Sequence, residues 1–227
     1  MDVRYALYRT LEDAQEALVA LAARPHPESR RILALAQQAF GDLRGLVTGV
    51  PDALLARAPR DGEWSVGDVL RHVLSVEQRY AIQTRWAVER GDGDPVRVPT
   101  DRLPPTAPPA IPGGASEILA RIAEARAETS HALDALAPAA MTRPTQWVHY
   151  DVDVRFRLHR FGAHIVEHTV QCEKTLATLG QPVTEGRRIV RRITAALGEI
   201  EGLGGAAEVR TLEARLVERW SSVKTPV

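Results

Sequence analysis

The sequence predicts an all-α protein, a four-helix bundle carrying further helices at both ends. Three observations point there. Apolar residues step by three and four positions along most of the chain. Capping residues, prolines and glycines punctuate those runs, and only Gln146 to Val152 reads as strand.

The first stripe is Val3, Leu7, Leu11, Ala14, Leu18 and Leu21, and Arg24-Pro25-His26-Pro27 ends it. A second helix, about 28–50, uses Ile32, Leu35, Ala39, Leu43, Leu46 and Val50, with Gly41 and Gly45 weakening it. The third, about 66–90, has the best-marked start. Ser65 is placed to cap it with Asp68 at the third position, and Trp64 before the cap is placed to meet Val69 as a hydrophobic staple. Val69, Val73, Val76 and Tyr80 continue its stripe as far as Gly91. Residues 91–114 contain seven prolines and four glycines, which predicts a loop, expected over one end of the bundle. A fourth helix, about 116–137, runs on Ile118, Ile122, Ala125, Thr129, Ala132 and Leu136 until Pro138. The piece 146–152 is too short and isolated to imply a sheet. A fifth helix covers about 153–179, stopped by Gly180 and Pro182, and two more span roughly 184–202 and 206–222. The expected organisation is an N-terminal helical extension (1–24), the bundle with its long loop (25–182) and a C-terminal helical extension (183–227).

Composition narrows the function classes. With 44 % hydrophobic and 26 % charged residues the chain can bury a core, and its 29 basic side chains balance 29 acidic ones. That balance argues against nucleic acid as the main partner, which calls for a basic surface. One cysteine, Cys172, excludes an intrachain disulfide and a paired-cysteine zinc ribbon. Asp2, Arg4, Arg9, Glu12 and Asp13 stand where a signal peptide needs an apolar run, and no stretch approaches the roughly 20 apolar residues of a membrane span. The expected location is the cytoplasm, with no membrane partner.

The chemistry concentrates on the fifth helix. On a helical wheel Leu158, Phe161, Ile165, Cys172, Leu176 and Leu179 define its buried stripe. His168 falls inside that stripe and His164 about 40° to its flank. Two imidazoles at i and i+4 on one inward face can bind one metal ion; the same spacing also suits hydrogen-bonded core histidines. His72 lies at the margin of the third helix's stripe. If the two helices are neighbours, His72, His164 and His168 make a three-histidine site with an open coordination position.

The run Gly62-Glu63-Trp64-Ser65-Val66-Gly67-Asp68-Val69-Leu70-Arg71-His72 resembles the G-E-W-S…H segment of the DinB/YfiT-like superfamily. The second half of that pattern, a helix with two histidines four apart, is matched by His164-Ile165-Val166-Glu167-His168, followed by Gln171. The interval of 92 residues between His72 and His164 suits the same layout, and the resemblance covers about 28–181. It implies a DinB-like four-helix bundle holding a divalent metal, zinc or nickel, on His72, His164 and His168. It also implies a small-molecule substrate. Some members are thiol S-transferases or isomerases dependent on mycothiol, bacillithiol or glutathione, so a low-molecular-weight thiol cosubstrate is expected. The terminal helices and the long 91–114 loop depart from the pattern.

Other residues remain open between two roles. Arg157, Gln171 and Thr175 lie beside the histidines on the wheel, placed to bind substrate or orient ligands; the alternative for Arg157 and Thr175 is contact with neighbouring helices or solvent. Glu167 is a general base, a partner of the histidines, or a solvated glutamate; Glu77 is equally ambiguous beside His72. Cys172 is a buried packing residue or a fourth ligand. His26 and His131 read as surface, and His159 points away from the stripe. Trp147, His149 and Tyr150 line a pocket mouth or simply pack. Arg187, Arg188, Arg191 and Arg192 crowd one helix as a solvated face, an anion site or a subunit contact. Terminal helices in need of apolar partners suggest a homodimer. Three functions share the same ligands: a metal-dependent thiol transferase or isomerase, a non-catalytic metal- or ligand-binding bundle, and a metal-assisted hydrolase.

Overall fold

A computed structural model describes residues 2–107, 110–111 and 114–223. It is about 70 % helical. The helices are α1 (Val3–Ala22), α2 (Glu28–Val47), α3 (Asp52–Leu55), α4 (Val66–Glu89), α5 (Ala115–Leu133), α6 (Pro138–Met141), α7 (Val154–Thr178), α8 (Glu185–Gly202) and α9 (Ala206–Ser221). The short helices α3 and α6 were not anticipated from the sequence pattern. Neither is long enough to show a 3.6-residue period.

Helix starts follow local chemistry. At α4 the Asp68 N–H donates to Ser65 Oγ and the Ser65 N–H to Asp68 Oδ2, both at 3.1 Å, closing the capping box. At α7 the Phe156 N–H donates to Asp153 Oδ1 at 2.8 Å. Helix α5 stops at Leu133, short of the expected 137, because Ser29 Oγ takes the Leu136 N–H and donates to the Asp134 carbonyl. The strand-like piece 146–152 is the middle of an antiparallel hairpin, β1 (Pro144–Trp147) with β2 (Tyr150–Asp153), turned at Val148 with φ 56°.

Helices α2, α5, α4 and α7 form a closed ring of neighbours, α2 against α5 and α7, and α4 against α5 and α7. One core lies at the α4–α5 end around Phe40, Leu43, Leu70, Val73, Ile122, Ile165 and Leu176. A second surrounds Leu33, Met141, Leu158 and Phe161.

Helix α8 packs on α2 more extensively than any other pair of elements packs. Gly41 and Gly45 on α2 and Gly198 and Gly202 on α8 make this possible. A Cβ at Gly41 would strike the Thr194 carbonyl, one at Gly45 the Arg191 backbone, one at Gly198 the Gln37 carbonyl, and one at Gly202 the Ala34 backbone. The glycines that cost α2 helix propensity let two backbones approach. Leu21, Ala34, Ile200, Leu203, Val209 and Leu212 form a third core joining α1, α8, α9 and α2. The apolar partners of the terminal helices thus come from the same chain.

The 91–114 segment has one turn of 3-10 helix, Thr100–Arg102, and is otherwise irregular among its described residues. It runs along the flank of α4 instead of over one end of the bundle. Trp86 Nε1 donates to the Pro95 carbonyl at 3.0 Å, Arg102 lies 4.6 Å from the Trp86 ring, and Arg79 donates to the Pro104 carbonyl at 2.5 Å. These contacts from α4 side chains hold it there. The expectation for Pro108 and Pro109 lies outside the described residues.

Candidate metal centre

The capping box places His72 in the second turn of α4, and the i,i+4 spacing on α7 stacks His164 on His168. The α4–α7 contact brings the three rings together, with centroids 5.2 Å (His72–His164), 4.8 Å (His72–His168) and 4.3 Å (His164–His168) apart. Their Nε2 atoms converge: His164 Nε2 is 3.3 Å from His72 Nε2 and 3.0 Å from His168 Nε2. One nitrogen from each ring lies within 4.8 Å of the other two, a triad that could hold a metal ion. His164 and His168 are only 7 % and 8 % exposed, while His72 is half-buried and opens the site toward solvent.

The surroundings favour the neutral form of His164 and His72. Burial, followed by His168, His72 and Arg160, pushes His164 down to about 3. Burial and His168 also lower His72, opposed by the charge of Glu167. His168 Nδ1–H donates to Gln171 Oε1 at 2.8 Å, which leaves its Nε2 lone pair facing the other two rings. No carboxylate joins the triad among the described residues. Three converging nitrogens with no carboxylate among them could hold a metal ion.

The other candidates separate clearly. Gln171 accepts the hydrogen bond from His168. Glu167 is exposed on α7 and reaches the triad only through its charge on His72. Cys172 is fully buried among Val73, Ile165 and Leu176, its thiol pushed up to about 12 by burial, and it is not part of the triad. Arg157 is buried, donating from Nη1 to the Gln146 carbonyl at 3.1 Å and from Nη2 to Gln83. It clamps the hairpin to α4 and stacks over Tyr80 at 5.8 Å. Thr175 is buried, His131 and His159 are exposed, and His26 is half-buried with its Nε2 3.0 Å from the Leu21 carbonyl oxygen, so it is not a plain surface residue. Trp147 packs against Arg160 at 4.7 Å, one turn before His164.

Glu77 is not beside His72. It is turned inward to Arg126 on α5, because the buried face of α4 centres on Leu70, Val73, Leu74 and Glu77, while Val76 and Tyr80 are only half-buried. Two site residues had been read only as packing. Trp64 is half exposed with its ring 5.0 Å from His72, and Tyr80 lies 5.7 Å from His164. An aromatic eight residues before the first histidine, and another eight residues after it, was the available signal. Beside the triad, Pro59, Glu63, Trp64, Gln171, Lys174 and Thr178 line a shallow groove of about 530 Å³.

Fold and site together define a helical bundle with an interior three-histidine centre. The chain belongs to the DinB superfamily, whose sequence pattern matches residues 35–172. That match spans α2 to α7 and includes all three histidines. No curated protein matches the chain. No helix among the described residues is long and apolar enough to cross a membrane.

Proposed function

We propose that His72, His164 and His168 hold a divalent metal ion, zinc or nickel, and that the protein is a metal-dependent enzyme. The reading that fits best is transfer or isomerisation with a low-molecular-weight thiol as cosubstrate. The observation that carries it is the convergence of three Nε2 atoms, one of them fixed in its tautomer by Gln171. When bound on three neutral ligands, such an ion keeps its Lewis acidity and lowers the pKa of a thiol or water that coordinates it.

The chain's own residues supply the rest. Gln171 holds the His168 ring and also faces the adjoining groove, so it links ligand orientation to whatever lies there. Trp64 packs against His72 and Tyr80 against His164, bracing two of the three rings. Lys174 and Glu63 offer the groove one charge of each sign for the polar body of a thiol cosubstrate. Cys172, protonated and enclosed, is excluded as the nucleophile, so the sulfur must arrive with the cosubstrate.

The test is metal analysis of untagged protein, followed by a screen of low-molecular-weight thiols against an electrophile. One ion per chain with thiol-dependent turnover supports the reading. A metal-loaded protein inert to every thiol, yet active on an ester or amide, would move the assignment to hydrolysis.

A further inference from the structure

The four arginines crowded on α8 do not share one role. Arg187 donates to the carbonyls of Leu46 and Thr48. Arg191 is gripped by Asp42 (Nε–Oδ1 and Nη2–Oδ2, both 2.8 Å) and by Glu173 (2.7 Å). The guanidinium groups of Arg188 and Arg192, one turn apart and exposed, have no hydrogen-bond or ion-pair partner among the described residues. Both line a groove of about 850 Å³, enclosed by α1, α2, α7 and α8 on the face of α7 away from His164 and His168.

The rest of the lining carries the polar Gln38 and His159 beside an apolar set that includes Leu11, Leu35, Val166 and Ile189. Leu35 and Val166 remain 48 % and 53 % exposed. Asp42, the only carboxylate on the lining, is already neutralised by Arg191. An apolar trough with two unanswered guanidinium groups at one edge matches a ligand that has an apolar body and an anionic head. A neutral apolar molecule would leave both cations without partners, and a small anion would leave the trough uncovered.

We propose that this groove is a second binding site, distinct from the histidine centre, for an amphiphilic carboxylate. Its head pairs with Arg188 and Arg192 and its chain lies on Leu35 and Val166. The site does not depend on the metal reading. A second copy of the chain, covering the same apolar residues, is the competing occupant.

Titration calorimetry of the full chain with decanoate tests the proposal, with decan-1-ol and acetate as controls. One decanoate should bind per chain, at least tenfold more tightly than either control. Affinity should weaken with added salt. The double variant Arg188→Gln, Arg192→Gln should lose at least tenfold, and Leu35→Gln should lose several-fold without touching a charge. Affinity should be the same with and without a chelator. The proposal is overturned if decanoate does not bind or decan-1-ol binds equally well. It also fails if the arginine variant retains full affinity or if binding requires the metal. Sedimentation showing a dimer that the arginine variant dissociates, with no decanoate uptake, would give the groove to a second copy.

Discussion

The bundle interior contains two buried polar clusters, and they are built on opposite logic. In one, Arg126 and Glu77 are almost wholly enclosed, yet every charge is answered. Arg126 Nη1 donates to Glu77 Oε1 at 3.0 Å, Nη2 to the Leu33 carbonyl at 3.2 Å, and Nε to Gln37 Oε1 at 3.3 Å. Thr129 Oγ1 adds a further bond to Glu77 at 2.8 Å. That cluster ties α2, α4 and α5 together and has nothing left to bind. In the other, about one and a half helical turns away on α4, three imidazoles turn their nitrogens toward one point with no acid to answer them. Two neighbouring sites therefore differ in completeness. The closed one is structural, and the open one could hold a cation.

The largest expected difference is in metal content. His164→Ala should abolish stoichiometric metal, read by elemental analysis, while far-ultraviolet circular dichroism stays helical. Glu77→Gln should leave metal per folded chain unchanged. A His164→Ala protein that still carries one ion would erase the contrast.

Stability should sort the clusters the other way. Glu77→Ala leaves the Arg126 charge buried and unpaired, at a cost of about 3–5 kcal/mol by urea denaturation. Replacing both members with apolar residues, Glu77→Met with Arg126→Leu, should recover most of that. If Glu77→Ala costs under about 1 kcal/mol, the pair is not a closed structural unit.

A smaller effect is expected at Gln171, which supports one ligand without being one. Gln171→Leu should weaken metal affinity by about 10- to 100-fold, measured by competition with a chelating dye, and leave stoichiometry at saturation intact. An unchanged affinity would show that the His168 tautomer needs no support.

The smallest effect is the response of the chelated protein to mild acid. Unfolded His164 takes a proton near pH 6.5, whereas the folded side chain resists it down to about 3. The unfolded state therefore binds more protons across that window, and stability falls as pH drops through it. Between pH 7.5 and 6 the His164 share of the loss should be under about 1 kcal/mol. His164→Ala should flatten that part of the profile, and an unchanged profile would remove burial of a neutral imidazole as its cause.

Much of this was readable in one dimension. Ser65 and Asp68 announce the start of α4, and a four-residue spacing puts His164 and His168 on one face, because capping and helical period act within a turn or two of chain. The seven prolines of the 91–114 segment withdraw helix donors locally, whatever lies nearby. Gln171, three residues beyond His168, was a candidate for the same reason.

Other features depend on which helices meet. Glu77 was ambiguous until α5 supplied Arg126, 49 residues away, to draw it inward. Gly41 and Gly45 looked like flaws in α2 until α8 pressed its own Gly198 and Gly202 against that helix. Arg188 and Arg192 were indistinguishable from Arg187 and Arg191 until Asp42, Glu173 and two carbonyls claimed only the latter pair. By itself the sequence determined where the long helices begin and which histidines share a face, since those are consequences of backbone geometry over a few residues, whereas the end of α5 was set by the distant Ser29. The pairing of helices across the bundle, and with it the closed and open polar clusters, was decided only in the tertiary structure. Burial and charge compensation depend on distances between segments that no local pattern records.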